Sequence, residues 1–405
     1  MRLSRRQAVA LKRSTRTINI WSGSVRSSKT FGSLWDFIRV MQKRRMSGDR
    51  EGVVLVVAHS TNSAWRNIFQ PLLTHPEFIH VAPHLTYRRN APTGTLFGQE
   101  FSVVGANNEM SWLSIQGLTV AYCLGDEAVA WPESFWDMLT TRLSMSTSRC
   151  LVTCNPGAPS HYLKKLIDSG DPDVHHEVFL LDHNPTLEPG YIARLKRQFS
   201  GVFYRRMILA LWESAEGAIY EGWDRETMVG TPPRGDVLAV GLDYGTQNPS
   251  AGLALMVGDD GRLWLSHEWA PNPGDRRMTD AELADSLQEW LAALPNPPRF
   301  IYADPAAASF REELKRRGVV THKADNAVVP GIRTVDSLLV GGDLMVADTC
   351  TQFISEVGAY RWDQQAAARG VDAPVKEHDH HMDAARYAVR SSRHLWGRMV
   401  KSVAA

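Results

Sequence analysis

The chain is 405 residues long, with 45 Lys and Arg against 44 Asp and Glu and a hydrophobic content of 43%. That length predicts two sizeable buried cores rather than one, and the near-zero net charge excludes a protein wrapped on all sides in nucleic acid. No apolar run reaches the ~18 residues of a membrane span and no signal-peptide-like apolar stretch follows the basic N-terminus, so a soluble, intracellular protein is expected, with Cys123, Cys150, Cys154 and Cys350 as reduced thiols and no zinc.

Charge is uneven along the chain. Residues 2–50 carry about a dozen basic side chains against Asp36 and Asp49, a pattern that suits a solvated face and equally a local footprint for a phosphate backbone. Inside this segment Thr17-Ile-Asn-Ile-Trp21 alternates and is β-prone, Gly23-Ser24-Val25-Arg26-Ser27-Ser28-Lys29-Thr30 follows, and Ser33-Leu-Trp-Asp-Phe-Ile-Arg-Val40 has helical spacing. This strand–loop–helix order suits a phosphate-binding loop, in which backbone N–H groups cradle phosphates, Lys29 reaches the outer ones and Thr30 holds Mg²⁺. Ser28 stands where the full pattern has glycine and lacks glycine's freedom at positive φ. Locally, a polar turn fits as well.

Gly52-Val-Val-Leu-Val-Val-Ala58 reads as a buried strand, and Ala64 to Leu73 as a helical stretch that Pro71 kinks or ends. Glu100-Phe-Ser-Val-Val104, Gly117-Leu-Thr-Val-Ala-Tyr-Cys-Leu-Gly-Asp126-Glu127 and Arg149-Cys-Leu-Val-Thr153 are further strands, which predicts an α/β parallel sheet. An apolar strand ending in two acids presents them at the sheet edge where such folds bind ligands. There Asp126 would hold Mg²⁺ and Glu127 would orient or deprotonate an attacking water. Residues 182–218 turn helical, with Tyr191 to Phe199 and Phe203 to Trp212 as helices, before Pro232-Pro233-Arg-Gly235 punctuates the chain. The domain boundary is expected between Gly217 and Gly235.

The second half opens with Val237-Leu-Ala-Val-Gly-Leu-Asp243, then Ala251–Val257 and Arg262–Trp269 joined by the turn Gly258-Asp-Asp-Gly261. A helix from about Asp280 to Leu294 leads to Arg299-Phe-Ile-Tyr-Ala-Asp304, and a last helix starts near His378-Asp379-His-His-Met-Asp383. Asp379 and Asp383, four apart, share a helix face. Acids at two strand ends and on a late helix of one domain suit a two-metal site, where ions ~4 Å apart activate water and stabilise the leaving oxygen of a phosphodiester. The neighbouring His378, His380 and His381 read as a hydrophilic helix entrance.

In order and spacing these motifs resemble the large terminase subunit of tailed bacteriophages, over residues 21–395. The matching elements are Gly23 to Thr30 as a variant Walker A loop, Asp126-Glu127 as Walker B with the catalytic glutamate, Thr153-Cys-Asn155-Pro156 as the coupling motif, and Asp243, Asp304 and Asp383 at the positions of the nuclease acids. Asp182-His-Asn-Pro185 and Gly217-Ala-Ile-Tyr220 resemble features leading into the linker. The resemblance implies a P-loop (RecA/ASCE-like) ATPase domain with a parallel sheet over residues 1–217, its helical linker part at about 182–217, a linker at 218–235, a ribonuclease H-like nuclease domain over 236–396 and a tail at 397–405.

It further implies ATP and Mg²⁺ as cofactors, with Mn²⁺ as a substitute in the nuclease site, and ATP-driven translocation of double-stranded DNA into procapsids with cutting of concatemeric DNA. Arg26 would stabilise transition-state charge, Asn155 would sense the γ-phosphate although an Asn-Pro turn fits locally as well, Arg142 would act across a subunit interface, and Asp379 would be an accessory metal ligand. The implied partners are DNA, the small terminase subunit, the portal protein of the procapsid and further copies of the chain in a ring, in the host cytoplasm and transiently at the portal, with no membrane. Two departures stand out: Ser28 in the loop, which bears on nucleotide affinity, and a length short for the family. The rival reading is a P-loop translocase or helicase whose C-terminal domain binds DNA without cutting it. Converging carboxylates at Asp243 and Asp304 discriminate, because a pure binding module has no need of them.

Overall fold

The computed structural model describes residues 3–245, 250–271 and 278–400. The chain divides into two compact units, residues 1–188 with 205–214 and residues 189–204 with 215–405.

The first unit is built on eight strands: β1 (Ile18–Gly23), β2 (Val53–Ala58), β3 (Leu85–Thr86), β4 (Thr93–Leu96), β5 (Gln99–Gly105), β6 (Val120–Gly125), β7 (Arg149–Cys154) and β8 (Val174–Phe179), in the order β3-β4-β5-β2-β6-β7-β1-β8. All pairings from β5 to β8 are parallel, and β3 and β4 add an antiparallel edge. β2, β6 and β7 are buried almost without interruption, the pattern of strands covered on both faces. The helix Lys29–Ser47 lays Leu34, Phe37, Ile38 and Met41 into one core, and the same buried face carries Asp36. A buried carboxylate is tolerated only when its lone pairs are met. Asp36 accepts from Tyr122 Oη at 2.8 Å, Arg149 Nη2 at 2.7 Å and Arg39 Nη2 at 2.7 Å.

The predicted helical stretch around Pro71 runs from Thr61 to Thr74 and contains a π-turn at Trp65–Phe69. The predicted helix reaching Trp212 stops instead at Met207; Ala210 takes φ 58°, a left-handed conformation that no helix can continue through. All four cysteines are buried and free. Among the described residues, no helix is long and apolar enough to cross a membrane. Within the basic N-terminal segment, Arg6 and Arg44 are drawn into hydrogen bonds with the carbonyls of Val178 and Glu51, while Lys12, Arg13, Arg45 and Arg50 are exposed.

The second unit has seven strands: β9 (Val229–Gly230), β10 (Gly235–Asp243), β11 (Ala251–Gly258), β12 (Leu263–Trp269), β13 (Phe300–Ala303), β14 (His322–Lys323) and β15 (Leu344–Ala347), ordered β14-β13-β10-β11-β12-β15-β9. β10, β11 and β12 pair antiparallel and the outer strands are parallel to their neighbours. The boundaries differ from those expected at 217 and 235. Val202 and Phe203 join the core formed by Ile332, Leu338 and Leu344, and Ile219 and Tyr220 are buried in it too. β9, inside the expected linker, pairs with β15 as an edge strand. Val400, in the expected tail, is also part of that core.

Candidate functional site

In the first unit, the loop between β1 and the helix Lys29–Ser47 opens on a pocket whose wall includes Arg26, Lys29, Thr30, Asn67, Asp126 and Asn155, with Val25, Ser27, Ser28, Phe31, Glu127, Thr153 and Cys154 completing it. Gly23 ends β1 where a Cβ would lie 2.1 Å from the Phe179 carbonyl oxygen, so only glycine lets the chain leave the sheet here. Ser24 is buried, and the N–H groups of Ser24 and Val25 donate to Phe179 O at 2.9 Å and Met207 O at 2.8 Å. These two amides therefore anchor the loop instead of facing the pocket. Arg26 and Ser28 take φ 55° and 63°. Ser28 thus adopts the left-handed conformation that a glycine would supply there, and it does so against the steric preference of an L-residue.

Lys29 is buried, with Nζ 3.0 Å from Ser24 O and 3.3 Å from Gly23 O. Burial lowers its pKa to about 8, against the opposing charges of Cys154, Asp126 and Glu127. Asp126, directly after β6, accepts from Thr30 Oγ1 at 3.1 Å and Thr153 Oγ1 at 2.5 Å on one oxygen and from Asn67 Nδ2 at 2.8 Å on the other. Glu127 is exposed with φ 58°, an outlier for a non-glycine residue. Asn155 Nδ2 donates to Gly23 O at 2.7 Å, and Asn184 Nδ2 donates to Arg26 O at 2.8 Å. Arg142, at the end of the helix Glu133–Arg142, is not part of the pocket wall.

In the second unit, Asp243 ends β10 and Asp304 follows β13. The parallel register pairs Leu242 with Ala303, which places the two acids side by side at one sheet edge. The helix His380–Ser391 crosses β10 at Gly241, where a Cβ would stand 2.1 Å from Ala384 O and 2.5 Å from Ala388 N. That close approach brings Asp383, on the helix's first turn, to the same edge. Burial raises the Asp243 pKa, and the charges of Asp383 and Asp304 add to the rise against the hydrogen bond from His380.

Asp243, Asp379 and Asp383 are held by basic side chains of the chain itself. His380 Nδ1 lies 2.9 Å from Asp243 Oδ2, Lys376 Nζ lies 3.0 Å from Asp379 Oδ2 and 3.2 Å from Asp383 Oδ2, and the buried Arg386 guanidinium holds Asp383 Oδ1. Asp379 is the N-cap residue, and its carboxylate makes no capping bond. Among the described residues, no group of three or more His, Cys, Asp or Glu side chains is arranged to hold a metal ion. The expected hydrophilic helix entrance holds only in part: His381 is buried, with Nδ1 2.6 Å from Glu356 Oε1, and only His378 of the three histidines is exposed.

Several of these residues carry no signal in the sequence. Asn67 reaches Asp126 across 59 positions, and only Pro71 four residues beyond it marks the local irregularity. Thr153 is legible as part of a motif, but its bond to Asp126 is not. Arg386, three residues after Asp383 on one helix, follows i,i+3 spacing and is findable in principle.

The family model described as Terminase RNaseH-like domain matches residues 240–391. The terminase large subunit of Escherichia phage T5 is 26% identical over 157 residues, which are 38% of this chain and 34% of that protein, so the match spans about a third of that relative's length. Among solved structures, the large terminase of a thermophilic bacteriophage is 30% identical with a TM-score of 0.88, covering 96% of this chain and 99% of that one. The same phage protein in complex with ADP and with ATP-γ-S matches at 29% identity over the same shares, with TM-scores of 0.87 and 0.85.

Proposed function

The chain belongs to the phage large terminase family, and on that premise we propose that it is an ATP-driven packaging motor for double-stranded DNA whose C-terminal unit cuts that DNA. The observation that carries the motor reading is the Asp126 carboxylate, which gathers the hydroxyls of Thr30 and Thr153 beside the buried Lys29. Thr30 and Asp126 form a set of hard oxygen donors of the kind Mg²⁺ takes, and a Mg²⁺ held there supplies charge neutralisation for the nucleotide phosphates. Lys29 binds the outer phosphates as a point charge. Glu127, exposed at the pocket wall, orients a water and accepts its proton as the water oxygen attacks the γ-phosphorus and ADP leaves. Arg26, also on that wall, meets the charge of the transition state. Asn155, tied to Gly23 O, couples the loop to the strand β7 that precedes it. In this reading Arg142 completes a neighbour's site in a ring of identical subunits, and the small subunit and the portal are the other partners.

For the second unit, convergence of Asp243, Asp304 and Asp383 on one sheet edge supports nuclease chemistry over a non-cutting DNA-binding module. Crowded, partly buried acids that raise the Asp243 pKa would take a divalent cation in place of their bonds to Lys376 and His380, and Mg²⁺ or Mn²⁺ held there would supply an activated water and stabilise the leaving oxygen of the phosphodiester. Asp243, Asp304 and Asp383 provide the donor oxygens, with Asp379 as an accessory. Arg386 fixes the orientation of Asp383, while Lys376 and His380 are the hydrogen-bond partners that Asp383 and Asp243 would exchange for the metal. Two measurements test the readings. Glu127→Gln is expected to abolish ATP turnover while nucleotide still binds, and turnover equal to wild type removes Glu127 as the base. Asp304→Ala is expected to abolish Mn²⁺-dependent cleavage of plasmid DNA, and equal cutting by both proteins overturns the nuclease assignment.

A further inference from the structure

Asn67 lies in the pocket wall at a place where the helix is irregular. Pro71 stands four residues later; it has no N–H to give to the Asn67 carbonyl, and in a regular α-helix its ring would clash with that carbonyl. The chain answers with the π-turn Trp65–Phe69, closed by Gln70 N–H donating to Trp65 O. Such turns recur at functional sites because the extra residue re-aims the side chains around it. Here the turn carries the Asn67 amide, whose Nδ2 donates to Asp126 Oδ2 at 2.8 Å while Thr30 and Thr153 occupy Oδ1. One oxygen of Asp126 is thereby tied to a helix that follows β2, and the other is turned toward the phosphate loop.

We propose that Asn67 is a positioning residue for the divalent cation of the nucleotide site, fixing the rotation of the Asp126 carboxylate so that Oδ1 and Thr30 meet the metal together. The inference rests on the reading of this pocket as a metal–nucleotide site. Carboxylates that bind metals depend on such outer hydrogen bonds, whose removal costs about 10–100-fold in metal affinity.

The test uses the full chain with ATP-γ-S, carrying Asp243→Ala and Asp304→Ala throughout so that the second unit takes up no Mn²⁺, and a Mn²⁺ titration followed by the electron paramagnetic resonance signal of free Mn²⁺ with the protein-free ATP-γ-S titration subtracted, together with metal-free ADP affinity measured in chelator. Asn67→Leu removes the donor at nearly constant volume and Asn67→Ala removes it with the side chain; both are measured, so a folding defect in one leaves the other informative. The expected result is Mn²⁺ binding weaker by about tenfold or more in the variants, with metal-free ADP affinity and melting temperature unchanged. Mn²⁺ binding equal to wild type overturns the proposal. So does a parallel loss of metal-free ADP affinity, which marks a purely structural role. If the chain with Asn67 intact and the second unit's acids removed takes up no Mn²⁺ beyond that held by free ATP-γ-S, the reading of the pocket falls and the inference falls with it.

Discussion

Asp336, on the helix Val328–Val340 of the second unit, is buried among Ile332, Val335 and Leu339 and accepts from Ser200 Oγ at 2.9 and 3.1 Å. Burial pushes its pKa from 3.8 to about 7, helped by the charge of Glu221 and opposed by the Ser200 hydrogen bonds. Between those values the folded unit keeps a proton that the unfolded chain has lost. Unfolding free energy therefore falls as pH rises from about 4 and levels off above about 7. The full shift of about three pH units corresponds to about 4 kcal/mol, of which about 3 kcal/mol falls between pH 5 and pH 8. Asp336→Asn keeps the acceptor for Ser200 and carries no charge. It is expected to raise stability at pH 8 and to do so much less at pH 5. The assay is urea unfolding of wild type and variant across that range, with the difference between them cancelling the titration of all shared groups. A difference that stays constant from pH 5 to pH 8 refutes the reasoning.

Asp36→Ala strands the Tyr122 hydroxyl and the Arg149 guanidinium in the first unit and is expected to cost about 3–5 kcal/mol, the penalty for breaking a buried pair, read as a lowered thermal unfolding transition. Adding Tyr122→Phe to it is expected to cost less than the sum of the two single changes, because the partners share one network. Gly241→Ala places a Cβ against the backbone of Ala384 and Ala388, which cannot give way as a flexible side chain would. DNA cleavage is expected to be lost as the helix bearing Asp383 moves off β10, with ATP turnover retained; cleavage at the wild-type rate refutes the role of that close approach. Ser28→Gly removes a left-handed L-residue worth about 1–2 kcal/mol, offset by about 0.5–1 kcal/mol of extra chain entropy. A net gain of up to about 1.5 kcal/mol in unfolding free energy, read from the urea midpoint, is expected from that difference, and a loss would show that the Ser28 side chain contributes more than its backbone costs.

Sequence-local signals locate much of the two candidate sites. A β-prone run, a polar loop with Lys29-Thr30 and a helix follow one another directly, and they form consecutive elements because neighbours in sequence are bound to be neighbours in space. Strand ends are equally legible: an apolar run that stops at Asp126, Asp243 or Asp304 fixes the carboxylate at a sheet edge whatever the neighbouring strands are. Short edge strands such as β3, β9 and β14, two residues each, carry too little pattern to be read. The helices after Pro189 are legible as helices, but which core they join is not, since an amphipathic face names no partner.

The sequence by itself determined the types of residue available for phosphate and divalent-cation chemistry, the α/β class, and the order in which loop, acids and helices appear. Tertiary structure decided which of them meet. Asp126 is completed by Thr153 from 27 positions away and Asn67 from 59, and Asp243 is met by His380 across 137. Side-chain hydrogen bonds act over about 3 Å, so these contacts depend on strand order, on the register of β10 with β13 and on the missing Cβ of Gly241. None of those is encoded in any single stretch of the chain.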